Sequence, residues 1–158
     1  MSVHMYIPAI NPTIDEQATL INYYYANEAS LHANTVAGLN FLLIDQLPSC
    51  LIDIVNKVNP EYFERIYYYS NRGNVARHAD KRRGTVITIP LINKSNIPTS
   101  FDSGNVYYHE SVLVNTTVEH WADNPDEEFR LFIQVELNED HTFDEYIQLH
   151  IKNDLVNK

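Results

Sequence analysis

Cysteine is nearly absent from this chain of 158 residues: Cys50 is the single one. An internal disulfide is thereby excluded, and a lone thiol in an apolar stretch reads as inert packing in a reducing compartment. Long apolar runs are missing as well. No stretch approaches the roughly 18 residues of a membrane span, and the opening Met1-Ser2-Val3-His4 has neither a basic patch nor an apolar core of the secretory kind. The expected location is cytoplasmic, with no membrane partner. Positive charge is scarce: 11 Lys and Arg face 21 Asp and Glu, for a net charge of −10. That balance counts against a nucleic-acid partner, which needs clustered bases. The one basic cluster, Arg77, Lys81, Arg82 and Arg83, reads first as a solvated loop offset by nearby acids, and alternatively as an anion or substrate funnel.

What is present describes an ordinary globule, with 44% hydrophobic and 20% charged residues and no internal repeat, linker or low-complexity tail. The length suits one domain over residues 1–158. Its fold class is mainly β with flanking helices: a helical cover over about 13–58, a β core over about 62–137 and a C-terminal helix over about 142–155.

Residues 1–12 read as an extended arm punctuated by Pro8 and Pro12. Thr13-Ile14-Asp15-Glu16 has the form of a capping box, and Ile14, Ala18, Ile21 and Tyr25 recur at helical spacing, so a helix is predicted from 14 to about 29. On it, Tyr23, Tyr24 and Tyr25 point in different directions, which argues against a base-stacking platform. Within the ambiguous stretch 31–45, Leu39 to Ile44 reads as a strand or buried turn. Leu51, Ile54, Val55 and Val58 mark a second helix stopped by Asn59-Pro60. Both helices are expected on the outer face of the larger sheet. A strand from Tyr62 places Phe63, Arg65, Tyr67 and Tyr69 on one face, and Ser70-Asn71-Arg72-Gly73-Asn74 reads as a turn. A buried strand covers 84–92, a polar loop 93–100, a tight turn Asp102 to Asn105, and short strands Val106 to Tyr108 and Val112 to Asn115. Thr142-Phe143-Asp144-Glu145 is a second capping box, followed by Phe143, Ile147, Ile151 and Leu155 at helical spacing.

The chemistry concentrates between Arg77 and Gln134. In extended backbone, His78 and Asp80 project the same way and can grip one ion. His120 lies 42 positions after His78, on what reads as a neighbouring strand. Two imidazoles and one carboxylate leave other positions of a metal open, a set suited to non-haem Fe(II) and oxygen activation. Ten residues further on, Arg130 sits in Phe129-Arg130-Leu131-Phe132-Ile133-Gln134-Val135-Glu136-Leu137. The odd positions there are all apolar, so the other face carries a lone guanidinium shaped for a carboxylate into the space the sheet encloses. His109 has no carboxylate two positions on, and reads as a surface histidine.

His78-x-Asp80, a distal His120 and the basic Arg130 together resemble the Fe(II)- and 2-oxoglutarate-dependent oxygenases. The segment from Asn115 to Arg130 looks most like the aspartyl/asparaginyl β-hydroxylase branch, whereas Tyr69 to Asp80 is closer to the prolyl hydroxylases. The resemblance covers roughly residues 64–137. It implies a double-stranded β-helix core of the jelly-roll, cupin-like kind, with His78, Asp80 and His120 as both catalytic residues and metal ligands for Fe(II). It further implies that Arg130 anchors the distal carboxylate of the co-substrate 2-oxoglutarate, with Tyr69 as a candidate hydrogen-bond partner and Tyr67 as the fallback. The expected reaction consumes O2 and 2-oxoglutarate, releases succinate and carbon dioxide, and hydroxylates a peptide side chain or small amino-acid-like substrate, whose carboxylate Arg82 or Arg83 could meet. The alternative is a cupin-like metal-binding protein without 2-oxoglutarate turnover, a reading that Arg130 counts against.

Overall fold

The structure, a computed structural model, describes residues 2–30, 32–34, 39–43, 47–81 and 84–151, with the backbone alone for 30, 32–34, 39–43 and 151. In chain order the strands and helices are β1 (His4–Tyr6), α1 (Ile14–Ala26), β2 (His32–Asn34), β3 (Leu39–Leu43), α2 (Ser49–Val55), β4 (Phe63–Asn71), β5 (Val75–His78) and β6 (Thr85–Ile92). There follow β7 (Thr99–Phe101), β8 (Gly104–Val106), β9 (Val112–Asn115), β10 (His120–Ala122), β11 (Arg130–Leu137) and α3 (Phe143–Ile151). The strands form a seven-stranded sheet, ordered β1-β9-β6-β11-β4-β3-β2, and a four-stranded sheet, ordered β5-β10-β7-β8. All the pairings are antiparallel. The expected class, mainly β with flanking helices, is the one observed.

Strand alternation sorts the side chains. On β11, Leu131, Ile133, Val135 and Leu137 join the core beneath the helices, together with Ile87, Ile89 and Leu91 of β6, Leu113 of β9 and Tyr68 of β4. The helices supply Leu20 and Tyr24, then Leu51, Ile54 and Val55, then Phe143 and Tyr146. Each fully buried aliphatic or aromatic side chain here contributes about 1.5–3 kcal/mol. The opposite face of the large sheet turns Phe132, Arg130, Gln134 and Tyr69 inward, toward the small sheet. A second apolar cluster, Phe101, Val106, Val112 and Val114, lies on that inner side.

Both capping boxes form. The Glu16 amide donates to the Thr13 hydroxyl at 3.2 Å and the Thr13 amide to the Glu16 carboxylate at 2.9 Å, and Thr142 and Glu145 repeat the exchange. The buried face of α1 differs from the one its spacing suggested. Ile14 and Tyr25 are exposed, whereas Leu20 and Tyr24 are buried, because the Tyr24 hydroxyl bonds Ser70 and the Tyr68 hydroxyl donates to the Leu20 carbonyl. Those bonds rotate the helix. α1 also stops at Ala26, where a 3-10 turn over Glu28–Ser30 takes over. Leu51, Ile54, Val55 and Val58 are all buried as expected, and the ambiguous Leu39–Leu43 is a strand paired with β4. Ser70 and Asn71 belong to β4 rather than to a turn, and Val106 ends a strand that begins at Gly104. Ile44 and the predicted end of the last helix, 152–155, lie outside the described residues. Among the described residues no helix is long and apolar enough to cross a membrane.

Candidate active site

Two strands of the small sheet set the site. β5 and β10 pair antiparallel with His78 opposite His120, and on its other side His120 faces Phe101 of β7. The two imidazoles are 4.4 Å apart between ring centroids. Asp80 follows two residues after His78, and its amide donates to the Thr116 carbonyl at 2.9 Å. That tether turns the carboxylate back, so Asp80 Oδ1 stands 3.6 Å from His78 Nε2. One ligand atom from each of His78, Asp80 and His120 lies within 4.8 Å of the other two.

The tautomers follow from the backbone. His78 Nδ1 is 2.7 Å from the Ala76 carbonyl and His120 Nδ1 is 2.8 Å from the Val118 carbonyl. A carbonyl oxygen only accepts, so each Nδ1 carries its proton and each Nε2 keeps its lone pair. Such a second hydrogen bond fixes the ring of a metal-binding histidine. In the metal-free protein, the Asp80 carboxylate raises the His78 pKa despite the opposing effect of burial.

Arg130 faces the same hollow from the large sheet, with 1% of its surface exposed. Its Nε donates to Asn71 Oδ1 at 2.8 Å, across the register pair that joins β11 to β4. Its guanidinium carbon stands 5.5 Å from the centre of the Phe132 ring. No carboxylate among the described residues is in salt-bridge reach of it. The buried carboxylate on the same face of β11, Glu136, is already held by Arg65 at 3.0 Å. A buried charge without a counter-ion is costly, which makes the hollow attractive to an anion.

Tyr69 also lines the hollow, with its ring 5.6 Å from that of Phe132. Burial pushes its hydroxyl pKa well above the ordinary phenol range, against the weaker pull of Arg130. The hydroxyl stays protonated as a donor. Tyr67 instead donates to Gln134 at 2.8 Å. The hollow encloses a cavity of about 40 Å³, and Tyr108, Thr99 and Trp121 are among its walls.

The remaining sequence candidates lie elsewhere. His109 is exposed against Tyr6, and Cys50 is partly buried against the helix-side core, with its thiol pKa raised by burial. Arg77 sits on β5 rather than in a loop; it is paired with Asp102 and Glu119, at 2.6 and 2.8 Å, and lies over the Trp121 ring. Arg82 and Arg83 fall outside the described residues. Among the polar residues of this neighbourhood that were not singled out from sequence are Asn71, Tyr108 and Thr99. Asn71 had a signal, since it continues the alternation of Tyr67 and Tyr69 by one more step. Tyr108 and Thr99, joined by a hydroxyl–hydroxyl bond, had none.

No family model and no curated protein sequence matches the chain. Solved structures do. A Pseudomonas putida prolyl-4-hydroxylase superposes with a TM-score of 0.61 at 16% identity, over 87% of this chain and 93% of the other. SnoN, a non-haem α-ketoglutarate-dependent epimerase of nogalamycin biosynthesis, gives 0.64 at 11% identity over 85% and 77%. A Trichoplax adhaerens prolyl hydroxylase, solved with a hypoxia-inducible-factor peptide, gives 0.57 at 12% identity over 85% and 82%. The chain shares their fold, the double-stranded β-helix of the Fe(II)/2-oxoglutarate oxygenases.

Proposed function

We propose that this chain is a Fe(II)- and 2-oxoglutarate-dependent dioxygenase that hydroxylates a protein or peptide side chain or a small amino-acid-like substrate. The observation that carries the reading is the buried guanidinium of Arg130, without a carboxylate partner among the described residues, in the hollow that His78, Asp80 and His120 also line. A mere metal-binding protein has no use for that charge. The donor set fits Fe(II): two neutral nitrogens held in the right tautomer and one carboxylate, grouped on one side.

Bound Fe(II) would supply the redox chemistry that couples dioxygen to oxidative decarboxylation of 2-oxoglutarate. The protein's own residues do the rest. Arg130 takes the distal carboxylate and fixes the co-substrate's position. Tyr69 donates its retained proton to the same carboxylate. Phe101 packs beside His120 at the metal end of the hollow, and Phe132 beneath Arg130 at the end that takes the distal carboxylate. Phe132 is in ring contact with both Tyr69 and Tyr108. The peptide bound to the Trichoplax neighbour supports the peptide half of the substrate class.

The test is anaerobic. Fe(II) followed by 2-oxoglutarate should produce a visible charge-transfer band, and admission of air should release succinate, faster with a cognate peptide or amino acid. A protein that binds Fe(II) yet gives neither band nor succinate would leave only a cupin-like metal-binding role.

A further inference from the structure

We infer that Asn71 is a positioning and specificity residue for the co-substrate, a deepening that rests on the reading of Arg130 given above. Asn71 is buried, with 1% of its surface exposed. Both ends of its amide are engaged. Oδ1 accepts from Arg130 Nε at 2.8 Å, and Nδ2 donates to the Gly73 carbonyl at 2.8 Å. Only this orientation gives each partner a complementary group, so the network fixes the amide. Gly73 turns the chain from β4 toward β5 with a φ of +89°, a conformation that favours glycine. Asn71 therefore ties the guanidinium to the turn that leads into the strand bearing His78.

Two consequences follow. By occupying Nε, Asn71 leaves the paired Nη groups as the edge offered to a ligand, and that edge matches the two oxygens of a carboxylate. Being neutral, it holds the guanidinium without cancelling its charge. An aspartate would fill the same space and accept the Arg130 bond, but would supply the anion internally and lose the donation to the Gly73 carbonyl. The choice of asparagine thus sets a preference for a dicarboxylic 2-oxo acid over a monocarboxylic one.

The test compares Asn71→Asp and Asn71→Ala with the parent. Anaerobic Fe(II) protein is titrated with 2-oxoglutarate and with 2-oxobutyrate, its monocarboxylic analogue, and Fe(II) affinity is measured separately by calorimetry. Asn71→Asp should weaken 2-oxoglutarate binding roughly 100-fold, the scale of a lost charge-assisted carboxylate bond. It should abolish the preference over 2-oxobutyrate, and Fe(II) affinity should fall far less than 2-oxoglutarate affinity. Asn71→Ala, in which the cation stays uncompensated, should weaken binding about tenfold and keep the preference. A purely structural role would alter both acids alike. If the parent shows the band and the preference while Asn71→Asp retains both, the inference on Asn71 is overturned alone. If the parent itself fails to bind 2-oxoglutarate, the functional reading falls and this inference with it.

Discussion

His78 and His120, far apart in the chain, are direct cross-strand partners on β5 and β10, with their rings 4.4 Å apart. Neighbouring strands lie about 4.8 Å apart, so side chains on paired positions project side by side without any loop having to be ordered. Asp80 joins them through a backbone bond from its amide to Thr116. The grouping of these three side chains thus comes from sheet register and one backbone bond beyond it.

Replacing Asp80 with Ala tests the triad. The Asp80 amide bond to Thr116 needs no side chain, so the fold should persist, with circular dichroism unchanged. Fe(II) binding by anaerobic calorimetry and succinate release should both be lost. Succinate release at the parent rate would refute the assignment of the metal to this triad.

Arg130→Lys separates charge from shape. A lysine keeps the cation but cannot bond Asn71 and present two parallel N–H groups to a carboxylate. KM for 2-oxoglutarate should rise about tenfold or more, a loss of ~1.5–3 kcal/mol in a charged hydrogen bond, while kcat changes far less. An unchanged KM would mean the carboxylate is bound elsewhere.

Much of this was legible because it is local. His78-x-Asp80, the boxes Thr13-x-x-Glu16 and Thr142-x-x-Glu145, and the alternation of β11 each need only a few consecutive residues and one backbone geometry. The face of α1 was not legible in the same way. Ile14, Ala18, Ile21 and Tyr25 fit the helical repeat as well as Gln17, Leu20, Ile21 and Tyr24 do, and the choice falls to hydrogen bonds that α1 shares with β4. Asn71 and Tyr108 depend likewise on pairings between distant segments. Their chemistry is invisible until the register is known.

Acid stability should depend on Asp102. Arg77 holds its carboxyl below the ordinary value near 3.8, so as pH falls the unfolded chain takes up this proton first. The stabilisation is therefore complete above that value and is lost as pH drops through the lower, folded one. Melting curves of the parent and Asp102→Asn should show a shallower acid slope for the variant below about pH 4. Parallel slopes would show that the Arg77 pair, although well formed, leaves stability untouched.

The two faces of β11 predict opposite phenotypes for adjacent residues. Ile133 is fully buried beneath the helices, so Ile133→Ala should cost ~2–5 kcal/mol in stability through lost burial and a residual cavity. Its folded fraction should bind 2-oxoglutarate like the parent, because no atom of Ile133 borders the hollow. Phe132 points the other way, against Tyr69, Tyr108 and the Arg130 guanidinium. Phe132→Leu keeps an apolar side chain and should destabilise less, yet it removes the ring face under the cation. Affinity for 2-oxoglutarate should fall roughly fivefold, the equivalent of ~1 kcal/mol. Denaturant melts and anaerobic titrations on both variants decide the matter: if Ile133→Ala lost affinity while Phe132→Leu kept it, the division of this strand into a packing face and a binding face would be wrong.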